Sequence, residues 1–414
     1  MHLGIFGYYE DIFLILKPGG DIVYTKMRDS GKRRVSGKTG KATPSPLVRT
    51  RVRRGALDFG FLTSVMLLLV IGLIMVFSAS YPSAYYQYNN GFYFIEKQLK
   101  WAILGVGAMF FTANFDYHNY KKLAVPILVG CALLLIAVLV VGIKVKGARR
   151  WLGTTSISFQ PSEVAKIGLI IYFAYSMSVA KDKIKEFKYL IRYWGLLGVF
   201  LLLLILEPHF SICIIIGLTM VIMMLVAGAR MRYFMMAAVP VIPIGVGVAI
   251  FEPYRLQRLI TFTNPFQDRV GDGWQIIQSL YAIGSGGLFG VGFGNSRQKY
   301  MYVSEPQNDF IFSIICEELG LIGAVAILAL FGYMIYRGIK IAMNSPDTFG
   351  SLLVTGIIAL IGVQVVLNIA VVTSSIPTTG IPLPFFSAGG SSLVFLLAAM
   401  GMVLNVSKFK RQPV

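Results

Sequence analysis

Four carboxylates lie close together in the stretch SEPQNDFIFSIICEELG, residues 304–320, in a chain with only 19 acidic residues. A carboxylate at a membrane boundary can act as a general base, whereas one inside hydrocarbon needs a partner. Asp309 precedes the apolar run, and Glu317 and Glu318 lie about 12 Å further along a helix. We therefore expect Asp309 to lie at the membrane's outer boundary, Glu305 to be a loop charge, and the two deeper glutamates to be internal pairing groups.

Two further groups of ionisable residues lie at the ends of apolar runs. Glu163 and Lys166 are three residues apart, so a helix places them on one face, where they can pair in a functional or a purely structural role. The segment LEPHFS brings Glu207 close to His209. Those two residues could serve a metal site or a proton relay, but a tight turn between short helices is the favoured interpretation.

Glycine and proline mark two other segments. GSGGLFGVGFGNSRQK has six glycines between 284 and 294 but lacks the Gly-Lys-Ser/Thr of a phosphate-binding loop, so we predict tight turns. The preceding DGWQIIQSLYAIGSGG has the spacing of an amphipathic interfacial helix, with Gln275 and Gln278 on one side. TTGIPLPFFSAGGSS leads into the last apolar run, where a broken segment either lines a cavity or only kinks the chain.

The elements that position these residues are predicted to be membrane helices. The chain has 414 residues, of which 56% are hydrophobic and 14% charged, with a mean hydropathy of +0.70. This composition indicates an all-α polytopic membrane protein, because each span needs about 20 apolar residues. The ten predicted spans lie near residues 57–80, 98–115, 121–143, 162–180, 190–206, 210–227, 233–251, 308–336, 350–372 and 387–407.

The distribution of charge sets the orientation and the domain limits. Residues 26–54 carry eleven Lys/Arg and one acid, so residues 1–54 are predicted to be a disordered basic arm. Beside a membrane, such an arm indicates the cytoplasmic side and anionic lipid rather than nucleic acid. The helical domain then covers 55–408, with a large outer loop at 252–307 and a tail at 409–414. Both termini are predicted to be cytoplasmic.

Two predicted outer segments break the positive-inside rule, and we interpret this as binding of an anionic ligand by Arg and Lys rather than as solvated surface charge. The basic residues are Lys144, Lys146, Arg149 and Arg150 in the first segment, and Arg255, Arg258, Arg269, Arg297 and Lys299 in the second. The three cysteines lie in apolar runs, and the three histidines are far apart. Neither a disulfide framework nor a His-rich metal centre is therefore indicated.

Several motifs, in order, resemble the SEDS family (shape, elongation, division and sporulation), and the likeness covers residues 57–408. They are KGARRW, FQPSEVAK, EPYRLQRL, NPFQD, GDGWQIIQSL, GVGFGNSRQK, NDFIFSIICEELG and IPLPFFSAGGSS. The segments NPFQD and IPLPFFS resemble the FtsW/SpoVE branch more than RodA. The resemblance implies ten helices and peptidoglycan glycosyltransferase activity on lipid II at the bacterial cytoplasmic membrane, with location at the division septum. A class B penicillin-binding protein transpeptidase and the division or sporulation machinery are the implied partners.

The family's motifs carry specific residues over to this chain. Its essential aspartate falls on Asp309. Its two outer motifs fall on Lys146, Gly147, Ala148, Arg150 and Trp151, and on Gln160, Pro161, Glu163 and Lys166. Four positions depart from the family pattern, namely the turn Glu207-Pro208-His209 in place of Gln-Pro-Asp, Ala388 in place of Tyr, Cys316 in place of Gly, and Asn308 in place of Thr.

The expected chemistry is deprotonation of the acceptor sugar's 4-hydroxyl by Asp309, with cations stabilising the departing pyrophosphate. The candidate cations are Lys146, Arg150, Lys166, Arg255, Arg258 and Lys299. The other expected substrate contacts are Trp151, Gln160, Glu163, Gln278 and Ser387. A divalent cation, Mg²⁺ or Mn²⁺, could assist, although no multi-carboxylate cluster is visible to hold one. The alternatives are a lipid II flippase, a silent division scaffold and a RodA-like elongation polymerase.

Overall fold

A computed structural model describes residues 12–16, 22–26, 50–145, 148–153, 158–237, 239, 262–267, 271 and 273–413. The predicted span 233–251 lies largely outside these residues, as do Lys146, Arg255 and Arg258. The described residues include ten longer helices, and residues 231–237 are also helical. The ten longer helices are α1 (Phe59–Tyr88), α2 (Tyr93–Asn114), α3 (His118–Val141), α4 (Pro161–Ala180), α5 (Phe187–Leu206), α6 (Phe210–Val226), α7 (Trp274–Ser285), α8 (Ile311–Met343), α9 (Thr348–Val372) and α10 (Gly390–Ser407).

The protein is a multi-pass membrane protein. Within the described residues, seven helices are long and apolar enough to cross a bilayer, namely α1, α3, α4, α5, α8, α9 and α10. The shorter α6 is apolar but has only 17 residues. The first eight residues of α2 include Glu96, Lys97 and Lys100, which makes it a more polar helix than the seven.

Most predicted spans coincide with a helix, but several helices are longer than their apolar run. α1 continues to Tyr88 although its predicted span ends near residue 80. In that added length, Tyr88 stacks on Tyr93 with ring centroids 3.8 Å apart, and Tyr81 packs edge-on against Phe92. Aromatic rings of this kind are enriched where a membrane meets water, so the helix continues beyond the hydrocarbon.

α9 is the helix around which the candidate site is arranged. It packs against α4, α6 and α8, and its buried residues include Gln364 and Asn368. The helix predicted within the large loop is present as α7. The hydroxyl of Ser279 on α7 donates to the carbonyl of Val372, 2.9 Å away at the end of α9. The loop therefore packs on the helical bundle.

α8 is broken at Gly320, where φ is +67°. The glycine-rich segment 287–292 lies against the break through backbone hydrogen bonds. Val291 N–H donates to Glu317 O at 2.9 Å, and Leu321 N–H donates to Gly287 O at 2.9 Å. These bonds satisfy backbone groups that the break leaves without helical partners. The glycines thus form turns, as predicted from their spacing.

Short strands complete the described structure. β4 (Ile143–Val145), β5 (Ala148–Gly153) and β6 (Ser158–Phe159) form one antiparallel sheet between α3 and α4. A second sheet has the order β1 (Ile12–Leu16), β2 (Ile22–Lys26), β3 (Thr50–Arg54) and β7 (Phe409–Pro413). β1, β2 and β3 lie within residues 1–54, which the sequence predicted to be a disordered arm.

Candidate active site

Asp309 lies in a turn two residues before α8 begins, and its side chain is half-buried. Its backbone carbonyl accepts a hydrogen bond of 2.8 Å from the amide of Asn368 on α9. Its carboxylate lies against Gly380, where an added Cβ would stand 3.1 Å from Oδ2. Gly380 also has φ +66°, a conformation that favours glycine. The carboxylate is thus held at the end of the bundle where α8 starts.

The segment that contacts Asp309 also forms one wall of a cavity. About 580 Å³ of empty space, including its open mouth, lies between α4, α9, α10 and residues 382–387. Most of the lining is apolar, with residues such as Ile361, Leu383 and Phe395. The mostly apolar lining of this open hollow can contact hydrocarbon, and the polar groups beside it can orient a head.

The predicted pair of Glu163 and Lys166 is present and lines this cavity. Lys166 Nζ lies 2.8 Å from Glu163 Oε1, and both side chains are buried. α4 begins at Pro161, which suits the first turn of a helix because no backbone donor is lost there. The two opposite charges neutralise each other, and such a pair is tolerated in a buried site where a single charge would be costly.

Arg150 extends from β5 to the turn between α5 and α6. Its Nε donates to the carbonyl of Glu207 at 3.4 Å, and its Nη2 donates to the carbonyl of Pro208. Gln160 Nε2 lies 3.2 Å from His209 Nδ1. The turn favoured by the sequence is therefore present, and the two motif residues Arg150 and Gln160 contact it.

The two titratable groups of this turn are held neutral. Burial raises the pKa of Glu207 to about 8, although the nearby Arg150 lowers it. Neither carboxylate oxygen of Glu207 has a hydrogen-bond partner among the described residues. Burial, assisted by Arg150 and Lys166, lowers the pKa of His209 to about 3. Near neutral pH the turn thus carries a carboxylic acid and a neutral imidazole.

Lys299, which the sequence predicted to be a pyrophosphate ligand, is enclosed in an ion pair and does not line the cavity. Its side chain is 3% exposed, and Nζ lies 2.8 Å from Glu318 Oε1 and 3.2 Å from Ser78 Oγ. A third contact, of 2.6 Å, is to the carbonyl of Gly294. The ammonium is therefore neutralised and enclosed. It connects Gly294, which follows the glycine-rich segment, to α1 and α8.

The other residues that the sequence predicted to contact substrate lie in different parts of the structure. Ser387 donates to the carbonyl of Asn308 at 2.8 Å and accepts from Leu383 N–H, so its hydroxyl is bound to protein. Gln278 is buried on α7. Trp151 is half-buried in β5, opposite Ile143.

Glu305, Glu317 and Glu318 have the surroundings that the sequence predicted. Glu317 accepts from the hydroxyl of Ser296 and, at 2.9 Å, from the N–H of Arg297. Glu318 pairs with Lys299, and Glu305 accepts from the amide of Asn308 at 2.9 Å. Internal pairing of the deeper two, and a loop position for the third, are thus confirmed.

Asn368 and Gly380 contact Asp309 but were not predicted from the sequence. Asn368 is fully buried within the apolar sequence VLNIAVV. A polar side chain inside such a run is a signal that could have singled it out. Gly380 had no such signal, since its role depends on a contact between residues far apart in the chain.

A protein-built metal site is not evident in the part of the chain that the structure describes. No group of three or more His, Cys, Asp or Glu side chains there could hold an ion. Mg²⁺ can bind through one or two carboxylates and substrate phosphates, but those ligands would include the substrate. The described residues therefore provide no set that fits a resident divalent cation.

Residues 60–412 match the cell cycle protein family of FtsW, RodA and SpoVE. Stage V sporulation protein E of Bacillus subtilis is 44% identical over 349 residues, which cover 84% of this chain and 95% of the relative. A Geobacter sulfurreducens protein named probable peptidoglycan glycosyltransferase FtsW is 41% identical over 353 residues, with coverage of 84% and 95%.

Two solved structures are similar in fold. One belongs to a study of structural coordination of polymerization and crosslinking by a peptidoglycan synthase complex. It has a TM-score of 0.71 and 28% identity, and the match covers 85% of this chain and 98% of that chain. RodA of Thermus thermophilus has a TM-score of 0.62 and 27% identity, with coverage of 85% and 97%.

Proposed function

The chain belongs to the family of FtsW, RodA and SpoVE and is a peptidoglycan glycosyltransferase, and we propose that it polymerises lipid II with Asp309 as general base. One observation carries the assignment of the base. A half-buried carboxylate lies at the end of the helical bundle, and the segment that contacts it also lines an apolar cavity beside an ion pair. Lipid II combines a sugar head, a pyrophosphate and a long hydrocarbon tail, which suits that combination.

In the proposed reaction, Asp309 accepts the proton of the acceptor sugar's 4-hydroxyl. The oxygen attacks the anomeric carbon of the donor, and the bond from that carbon to the pyrophosphate oxygen breaks. The pyrophosphate leaves with the bonding electrons. General-base assistance of this kind contributes about 10²–10⁴-fold to the rate.

The leaving pyrophosphate needs cationic groups within reach. Among the described residues, Arg150 and Lys166 are the candidates, and we propose that Lys146, Arg255 and Arg258 act with them. Lys166 is neutralised by Glu163 at 2.8 Å, so it would contribute hydrogen bonds more than net charge. Lys299 is omitted from this set because, unlike Lys166, it does not line the cavity.

The proposed setting is a ten-span protein in the cytoplasmic membrane with both termini inside and the large loop outside. The domain limits are then a cytoplasmic arm at 1–54, a ten-span domain at 55–408 and a tail at 409–414. Location at the septum, a class B penicillin-binding protein as partner, and a role in division or sporulation complete the proposal. The solved peptidoglycan synthase complex, which coordinates polymerization and crosslinking, supports such a partner.

The direct test is polymerisation of lipid II by the purified full-length chain with a cognate class B penicillin-binding protein. We expect Asp309→Asn to lower glycan synthesis by at least 10²-fold, since the amide cannot accept the proton. Glu305→Gln is the matched control, because this exposed acid lies four residues earlier and should retain activity. Undiminished polymer from Asp309→Asn would overturn the assignment of the base.

A lipid II flippase is the rival function, and the same protein distinguishes it. In sealed vesicles, a flippase moves labelled lipid II between leaflets without making polymer. A polymerase makes glycan from lipid II supplied on the outer face alone. Translocation that persists in Asp309→Asn, with no polymer from the wild type, would favour the rival.

A further inference from the structure

The turn that carries Asp309, residues 307–309, is held at three successive carbonyl oxygens. Each accepts a hydrogen bond of 2.8 Å. In chain order, the donors are the backbone N–H of Ala388, the hydroxyl of Ser387 and the side-chain amide of Asn368. Ordinary turns do not need three outside donors in a row, so the position of this turn is determined by the elements that supply them.

The two side-chain donors are themselves fixed by the segment 381–388. Asn368 donates a second time, to the carbonyl of Ile381 at 2.7 Å, and its side chain is fully buried. Ser387 accepts from the N–H of Leu383 at 2.7 Å while it donates to the turn. Asn368 therefore bridges the turn and the segment. Ser387, which lies in the segment, is held by Leu383 while it donates to the turn.

This segment also bounds the carboxylate. Gly380, next to Ile381, lies so close to Asp309 that an added Cβ would stand 3.1 Å from Oδ2. On its other side, the segment lines the apolar cavity through Pro382, Leu383 and Ser387. The contacts of Asn368 and Ser387 therefore fix the turn that carries Asp309 against the segment that lines the cavity.

We propose that Asn368 and Ser387 are positioning residues for the glycosyl transfer, acting through the backbone of Asp309; this rests on the proposed role of Asp309 as base. Ser387 was predicted from the sequence to bind substrate. Its hydroxyl instead donates to Asn308 O and accepts from Leu383 N–H. The role assigned here needs no contact of either side chain with the reacting atoms.

The expected signature is a loss of turnover without a loss of binding. A displacement of about 1 Å at a reacting group can cost roughly 10²-fold in rate. We therefore expect Ser387→Ala to lower kcat by about 10-fold or more while KM for lipid II stays within about twofold. Ser387→Thr keeps the hydroxyl and should recover most of kcat.

Two further variants complete the set. Asn368→Ala removes both amide hydrogen bonds and should lower kcat at least as far as Ser387→Ala, with thermal unfolding measured alongside because the site is fully buried. Thr355→Ala is the matched control on the same helix. It loses one hydroxyl-to-carbonyl bond, to Ser351, far from Asp309, and should keep the wild-type kcat.

A double variant separates positioning from substrate binding. In Asp309→Asn the base is absent, so adding Ser387→Ala should not change the residual rate. If Ser387 binds substrate, the double variant is slower than Asp309→Asn and KM rises in the single variant. That result, or full activity of both Ser387→Ala and Asn368→Ala, would overturn the positioning role. An active Asp309→Asn would instead contradict the proposed base itself.

Discussion

Glu207 is a carboxyl group that the fold keeps protonated near neutral pH. Its pKa rises from 4.5 to about 8 because the side chain is buried, and the carboxylate oxygens find no hydrogen-bond partner among the described residues. The folded protein thus holds this proton more tightly than the unfolded chain. Stability from this group is complete below pH 4.5 and is lost as the pH rises towards about 8.

We therefore predict that thermal stability of the protein in detergent falls from about pH 6.5 to about pH 9, and that Glu207→Gln removes most of this fall. About 1 kcal/mol moves the unfolding midpoint by roughly 2–4 °C in domains of about 200 residues, so a gain of several degrees at pH 8 is expected. His209 changes the pH dependence of stability only between its folded pKa of about 3 and its unfolded value of 6.5. The range above pH 6.5 therefore isolates Glu207.

Glu305→Gln serves as the control for this measurement, because that carboxyl is exposed. It should leave the pH profile unchanged. A Glu207→Gln protein with the wild-type fall in stability above pH 6.5 would show that the carboxyl is not buried in neutral form.

Pairing between residues was predictable only at short range. Glu163 and Lys166 are three apart on one helix, so helical geometry alone brings them together. Lys299 pairs with Glu318 and also contacts Ser78, which is 221 residues away. That pair joins residues from different parts of the fold, so residue spacing could not reveal it.

At the scale of elements, the break in α8 is the feature that residue spacing did not reveal. Glycine is common within apolar runs, and in a helix interior it costs only about 1 kcal/mol of stability relative to alanine. What breaks the helix is the approach of segment 287–292, which supplies backbone hydrogen bonds to residues on both sides of Gly320. The seven helices long and apolar enough to span a membrane were predictable because each contains a long apolar run, although some of these helices continue beyond it.

Gly320 should therefore tolerate no side chain. Its φ is +67°, and an added Cβ would lie 2.3 Å from the nitrogen of Gly290 and 2.6 Å from the carbonyl oxygen of Leu288. Because both are backbone atoms, the segment must move. We expect Gly320→Ala to lower the midpoint of thermal unfolding by many degrees and to reduce the yield of folded protein.

Gly332 provides the matched control within the same helix. An added Cβ there meets nothing within 4 Å, so Gly332→Ala should be neutral or stabilise by about 0.5–1 kcal/mol. The measurement is thermal unfolding of both variants in one detergent. Equal midpoints for the two alanine variants would show that the approach of the glycine-rich segment does not constrain the helix.

At the scale of the whole molecule, the number of spans decides which face each loop occupies. The proposed ten spans place eight before Asn344, so the basic arm and the α8–α9 connection share one side. The seven helices that meet the length and hydropathy requirement place only five before Asn344. If these alone crossed the membrane, the arm and Asn344 would lie on opposite sides.

Cysteine labelling in intact cells distinguishes these arrangements. The three native cysteines are all buried, so a cysteine introduced at the exposed Ser304 or Asn344, or at Ser36 in the arm, gives a clear signal. We expect a membrane-impermeant maleimide to label Ser304→Cys, in the large loop, and not Asn344→Cys or Ser36→Cys in the arm. Permeabilised cells should label all three, which controls for reactivity. Because an even number of spans must separate the arm from Asn344 in the ten-span topology, labelling of only one of those two sites in intact cells would contradict it.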